Sequence, residues 1–308
     1  MGARDTIAKL LMGKVGGPWE GGIRAYHSSP HDFDRFDWSK LRTGEGANSY
    51  GTGFYAAENP KVSGQGGEYW NQFLQRFSGP EEEAAQILKY TGFDREKAAE
   101  LLQKRAGRKE VNDPSSLADQ VNSIYADQTR KAEQLLRRGA PVGPRTYEVN
   151  INARPELLLD WDKPLSKQPQ IVEKLPALVE GAGREAYDRA LAATSKPRAD
   201  ELWGMAKDPL QATGEFAYGR LAPRDFNRAS DMLREAGIPG IRYLDQGSRP
   251  TGGGMTSAGM TLAEPRKTYN YVVTDPSKLD IMAKYGIVGG APVGMGALAA
   301  QDQYGTQP

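Results

Sequence analysis

Short runs of alternating apolar and polar residues, separated by long stretches of helical spacing, set the pattern of this chain. In Ile23–Ser29 (IRAYHSS), Ile23 and Ala25 alternate against Arg24 and Tyr26, the two-residue period of a strand with one buried face. The same reading predicts strands at Gly53–Ala57, Tyr147–Ile151, within GIPGIRYLD at 237–245, and at Tyr269–Thr274, with a further turn and strand to follow. Between them, residues 67–138 carry apolar positions three and four apart, the signature of amphipathic helices. Pro80 followed by three glutamates predicts a helix start, because proline needs no N–H there and acids favour the positive end of the helix dipole. Further helices are predicted around 170–194 and over 224–236, the latter closed by Gly237. ELLLDWDKPLSKQP at 156–169 reads as a turn-rich link, and 246–261 as a Gly/Ser/Thr-rich loop.

Strands this short, with helical excursions this long, lack the regular strand–helix rhythm of a doubly wound sheet. The expectation is an α+β domain over 23–286 with a helical insertion at about 67–140. It is preceded by an ancillary segment and linker at 1–22 and followed by a Gly/Ala-rich tail at 287–308.

Composition narrows the chemistry. Forty basic residues against thirty-nine acidic ones leave a net charge of +1, without the basic excess of a dedicated nucleic-acid binder. A mean hydropathy of −0.63, with no run of about twenty apolar residues, argues against a spanning helix. The chain has no cysteine, which excludes disulfides, thiol nucleophiles and cysteine-ligated zinc. It has two histidines, His27 and His31, so any histidine-dependent site lies near residue 30. His31 sits beside Asp32 and Asp34, but no second cluster with ligand spacing accompanies it, and no metal site is expected. The glycine-rich stretch GEGANSYGTG at 44–53 fits neither a P-loop nor a dinucleotide G-x-G-x-x-G fingerprint; alone it marks only tight turns or close backbone approach.

Taken together, separated segments say more. AYHSS at 25–29, YGTGFYAA at 50–57 and YNYVVTD at 269–275 resemble the three signature strands of ADP-ribosyltransferases of the diphtheria-toxin and poly(ADP-ribose)-polymerase type. AYHSSPHDFDRFD, TGEGANSYGTGFYAAENP, YEVNINARPELLLDWDKPLS, TGEFAYGRL and LREAGIPGIRYLDQGSR are similar to the ADP-ribosyltransferase domain of bacteriophage and mobile-element polyvalent proteins, in order and over about 23–286.

That resemblance implies a split β-sheet core that binds NAD as a substrate. It assigns His27 to the NAD ribose, Ser28 to the position whose backbone holds the nicotinamide carboxamide (glycine in most of the family), and Ser29 to the Ser/Thr that follows. Tyr55 matches the tyrosine stacked on the nicotinamide, a cationic ring that an aromatic face attracts by about 1–2 kcal/mol. Tyr69 is the candidate second stacking tyrosine, and Ser63 the candidate carboxamide contact. The catalytic glutamate of the third signature strand is replaced by Asn270, which keeps hydrogen bonding but brings no charge and accepts no proton. Glu45, in the glycine-rich loop, is the candidate acid to compensate, and Arg24 a candidate pyrophosphate contact or an exposed strand-end residue. The implied activity is mono-ADP-ribosylation of a host bacterial protein or other macromolecular acceptor, in the host cytoplasm after delivery. The alternatives are a catalytically silent NAD-binding module and a structural or ejected virion protein, packaged with other virion proteins, that retains the fold.

Overall fold

The computed structural model describes residues 22–40, 50–107, 116–223, 225–245, 248 and 267–285. Glu45, the segment at 1–21, most of the 246–261 loop and the tail at 287–308 lie outside the described residues.

The strands are β1 (Ile23–Ser29), β2 (Phe54–Ala57), β3 (Arg145–Ile151), β4 (Leu159–Asp160), β5 (Gly240–Leu244), β6 (Tyr269–Val273) and β7 (Leu279–Tyr285). They form one open sheet in the order β4-β5-β6-β2-β1-β3-β7. Only β4 and β5 run parallel; every other neighbouring pair is antiparallel. The class is therefore α+β. The expected strands are present, with boundaries shifted by a residue or two.

Helices fill two excursions from this sheet. Between β2 and β3 lie α1 (Pro60–Ser63), α2 (Glu68–Leu74), α3 (Gly79–Tyr90), α4 (Arg95–Gly107) and α5 (Leu117–Arg137). Their apolar stripes close on a core of their own around Trp70, Ile87, Leu88, Leu102 and Leu136. The Trp70 indole donates to the Pro144 carbonyl at 2.8 Å and so ties this block to the start of β3. α3 begins as expected, with Pro80 in its first turn together with Glu81 and Glu82.

Between β4 and β5 lie α6 (Pro169–Lys174), α7 (Ala177–Ala192), α8 (Lys196–Lys207), α9 (Gly214–Leu221) and α10 (Phe226–Glu235). The Thr213 side chain caps α9 and that of Asp225 caps α10. Past α10, Gly237 takes a left-handed φ of +69° while Ile238 N–H reaches back to Leu233 O at 2.9 Å, a closure that needs a residue without a Cβ penalty.

Three elements depart from the pattern-based reading. β4 lies in the stretch read as a link; two residues are too few to show a period, and parallel pairing with β5 defines it. α8 buries only Leu202, and α9 is eight residues long with two glycines, so neither carries a legible stripe.

Alternation along the strands separates two cores. Ile23, Ala25, Ala56, Tyr147, Val149, Ile151, Tyr271 and Val273 face one side, where Phe36 packs over them. Leu159, Ile241, Tyr243 and Val272 face the other, against Leu178, Ala217, Tyr218 and Leu233 of the second helical block. Among the described residues no helix is long and apolar enough to cross a membrane.

Candidate functional site

The sheet is weakest between its two central strands. β1 and β2 share a single register pair, Tyr26↔Ala57, and past it no ladder pair joins them among the described residues. Side chains take over there. The ring of His27 donates from Nδ1 to the backbone carbonyl of Tyr55 at 2.7 Å. Ser28 Oγ donates to the carbonyl of Ser63 at 2.9 Å.

The donor role at Nδ1 fixes the tautomer of a neutral imidazole and leaves Nε2 as an acceptor. Burial lowers the His27 pKa and outweighs the opposing bond to Tyr55, so the ring is neutral near pH 7. It projects on the same side of the sheet as Ala25 and Ala56, at the edge of an aromatic cluster. Its centroid lies 5.3 Å from Phe36, edge-on, and 6.0 Å from Phe33.

Tyr55 projects to the opposite face, as its pairing with Val272 requires. Its hydroxyl donates to Gly51 O at 2.9 Å and accepts from Tyr50 N–H at 3.3 Å. Burial pushes its pKa well above the usual phenol range, with the nearby phenols of Tyr218, Tyr50 and Tyr69 adding to the shift. Tyr69, at the start of α2, is 43% exposed, so its ring is open to a ligand. Tyr50 stacks on Tyr243 at 4.1 Å and meets Trp161 edge-on at 4.8 Å.

Asn270 pairs with Ala57 on one side and Tyr243 on the other, which puts it on the Tyr55 face. Its Oδ1 is buried and, among the described residues, has no hydrogen-bond partner. An unsatisfied buried acceptor costs about 1–3 kcal/mol, so a donor from outside the described residues is favoured at this point.

Of the anticipated site residues, Ser28 and Tyr55 lie on one side of the β1–β2 junction, with Ser63 bonded to Ser28, Tyr69 near Tyr55, and Asn270 on the same face one strand over. His27 reaches the same junction from the other face. Ser28 has ordinary extended backbone, opposite Thr146, so its side chain carries no conformational penalty where glycine was anticipated. Ser29 is turned inward and its Oγ accepts from His31 N–H at 3.1 Å, a local turn contact. Arg24 is held by Glu148, Nε to Oε1 at 2.6 Å, and Glu148 also accepts from Tyr285 at 2.6 Å. That pairing commits Arg24 to the sheet surface. Asp32 and Asp34 ion-pair with Lys284 beside His31. Among the described residues no group of three His, Asp or Glu side chains could hold a metal ion.

Two participants were not anticipated from sequence, Tyr50 and Tyr218. The available signal was a tyrosine rather than a phenylalanine within TGEFAYGRL. A fully buried tyrosine needs a partner for its hydroxyl, and that partner lies 168 residues away.

Comparison of the chain with family models, with curated proteins and with solved structures returns no match.

Proposed function

We propose that this chain is a mono-ADP-ribosyltransferase-like protein of phage or mobile-element origin, and that the open sheet is the split sheet of that fold. On this reading it binds NAD at the β1–β2 junction and transfers ADP-ribose to a bacterial host macromolecule. The observation that carries the reading is the unpartnered Asn270 carbonyl on the face shared with Tyr55, Ser28 and Ser63, where the central ladder falls to one residue pair. A ribose hydroxyl supplies the donor that Asn270 Oδ1 lacks.

The residues divide the work. The Tyr55 ring, with Tyr69 at the rim, attracts the cationic nicotinamide. The edge of β1 left without a ladder at Ser28 offers backbone groups to the carboxamide. His27, neutral and with Nε2 free to accept, orients a second ribose hydroxyl. Transfer breaks the nicotinamide–ribose C–N bond, whose electron pair leaves with nicotinamide, and the acceptor nucleophile bonds to the same carbon and releases a proton. Asn270 stabilises the developing positive charge less than a carboxylate does, by about 3 kcal/mol, which predicts slow turnover.

The uncharged Asn270 also favours a second reading, an NAD-binding module without turnover. Glu58, one residue past Ala57, does not stand in for an acid on this face. Its carboxylate accepts from the Tyr271 hydroxyl and from Tyr269 N–H on the opposite side of the sheet.

Incubation with labelled NAD and bacterial lysate tests the two together. Transfer of label that is lost in Tyr55→Ala and His27→Ala supports the transferase. Calorimetric binding without turnover supports the module. Neither binding nor turnover overturns both and leaves a structural role.

A further inference from the structure

We infer that Tyr218 is a positioning residue for this site. From α9 it clamps the Tyr50–Gly51 strap and, through the strap, fixes the ring of Tyr55. The inference rests on the reading of Tyr55 as the nicotinamide-stacking residue.

The geometry forms a continuous chain. Tyr218 is fully buried in the second helical block, between Trp161 at 5.6 Å and Phe226, stacked at 5.8 Å. Its hydroxyl lies 3.1 Å from the Tyr50 carbonyl, 3.1 Å from the Phe226 carbonyl and 2.9 Å from Ser230 Oγ. It has one proton to give. Ser230 lies 3.0 Å from Phe226 O and can satisfy that carbonyl itself. The Tyr218 proton is thereby free for Tyr50 O, which leaves both carbonyls with a donor. Burial raises the Tyr218 pKa to about 12, so it stays a donor at any physiological pH.

The next link is Gly51, at φ +95°. A Cβ there would lie 2.1 Å from Ser230 Oγ and 2.4 Å from Phe226 O. Only glycine lets the strap lie directly on this hydroxyl pair. Gly51 O then accepts from the Tyr55 hydroxyl, and Tyr50 N–H donates to it. A second tie, Thr52 Oγ1 to Asn227 Oδ1 at 2.5 Å, joins the same strap to α10. The phenol of Tyr55 is held entirely by backbone that α9 and α10 hold in turn. A ring that stacks on a ligand gains from having few orientations to lose, which is the reason to spend a buried tyrosine here.

Tyr218→Phe keeps the ring packing and removes only the hydroxyl. Amide hydrogen exchange over residues 50–57 and the Kd for NAD by calorimetry are measured on this variant and on wild type, and the Kd also on the Tyr55→Ala and Tyr55→Ala/Tyr218→Phe proteins. Faster exchange across the strap in Tyr218→Phe, with β3 amides unchanged, is expected. The Kd should rise about fivefold, with no further weakening when Tyr218→Phe is added to Tyr55→Ala. A merely structural role gives equal losses in both backgrounds. Such additivity, or an unchanged Kd in a wild-type protein that binds NAD, overturns the inference, as does unchanged exchange in the strap. If wild type fails to bind NAD while the strap loosens as expected, the NAD reading falls and the anchoring of Tyr55 by Tyr218 stands.

Discussion

The two edges of β1 solve the same problem in opposite ways. Toward β3, each residue from Ile23 to Ser29 has a register partner, seven pairs in all, over the fully buried Tyr147, Val149 and Ile151. Toward β2 there is one pair, and beyond it a histidine reaches for the Tyr55 carbonyl of β2 and a serine for the Ser63 carbonyl of α1. A ladder of backbone bonds leaves nothing for a ligand to bind. Side-chain ties leave the gap without a ladder, and on the proposed reading its backbone groups and rings are what NAD meets. The difference teaches where stability resides in this sheet and where it has been given up.

The comparison can be broken by mutation, beginning at the firm edge. Ile151→Ala removes a fully buried side chain at a complete ladder and should destabilise the protein by about 2–5 kcal/mol in urea or guanidinium unfolding. A loss under 1 kcal/mol would mean that the β1–β3–β7 side is not the stable part of the sheet. Asn270→Ala, at the gap, should have the opposite sign. It deletes an acceptor that is buried without a partner among the described residues, so the free protein should gain about 1 kcal/mol, within the range such orphans cost. NAD binding or turnover should weaken at least tenfold in the same variant, a value of about 1.4 kcal/mol. Gain of stability with loss of binding is the signature of a group kept for a ligand. Loss of both would make Asn270 a structural residue.

The asymmetry was partly legible in the sequence. β1 and β3 announce themselves through alternation of apolar and polar residues, Ile23 and Ala25 against Arg24 and Tyr26, and Tyr147, Val149 and Ile151 against Glu148 and Asn150. The resemblance of AYHSS, YGTGFYAA and YNYVVTD to signature strands brought His27, Tyr55 and Asn270 into one hypothesis; His27 and Tyr55 meet at the β1–β2 junction, and Asn270 lies one strand over, on β6 opposite Ala57. Which face each side chain takes depends on register, and register between distant strands is written in no local pattern. Arg24 shows the same limit from the other side. Its partner Glu148 is a neighbour only because β1 pairs with β3, so the arginine considered for a pyrophosphate is already spent. Tyr218 is the extreme case, its role set by a carbonyl with nothing in the sequence to mark it.

The smallest expected effect sharpens the contrast through pH, and its sign follows from His27. The ring donates to a carbonyl, which favours the protonated form, but burial works against charge and prevails, so the folded pKa lies below the unfolded value near 6.5. The neighbours in ring contact are Phe33, Phe36 and Tyr147, none of them anionic. Well above a pH of about 6.5 both states are neutral at this residue and it adds no pH dependence. As pH falls below that value the unfolded chain takes up the proton first, so stability declines until the folded pKa is reached and then levels off. His27→Gln can keep a donor to the Tyr55 carbonyl without titrating. The stability difference between wild type and this variant, from urea midpoints at pH 7.5 and 5.5, should shift against wild type at the lower pH. A difference independent of pH would mean that the imidazole is as well solvated as in the unfolded chain. The gap between β1 and β2 would then be filled with water in the free protein, and the neutral acceptor at Nε2 would lose its physical basis.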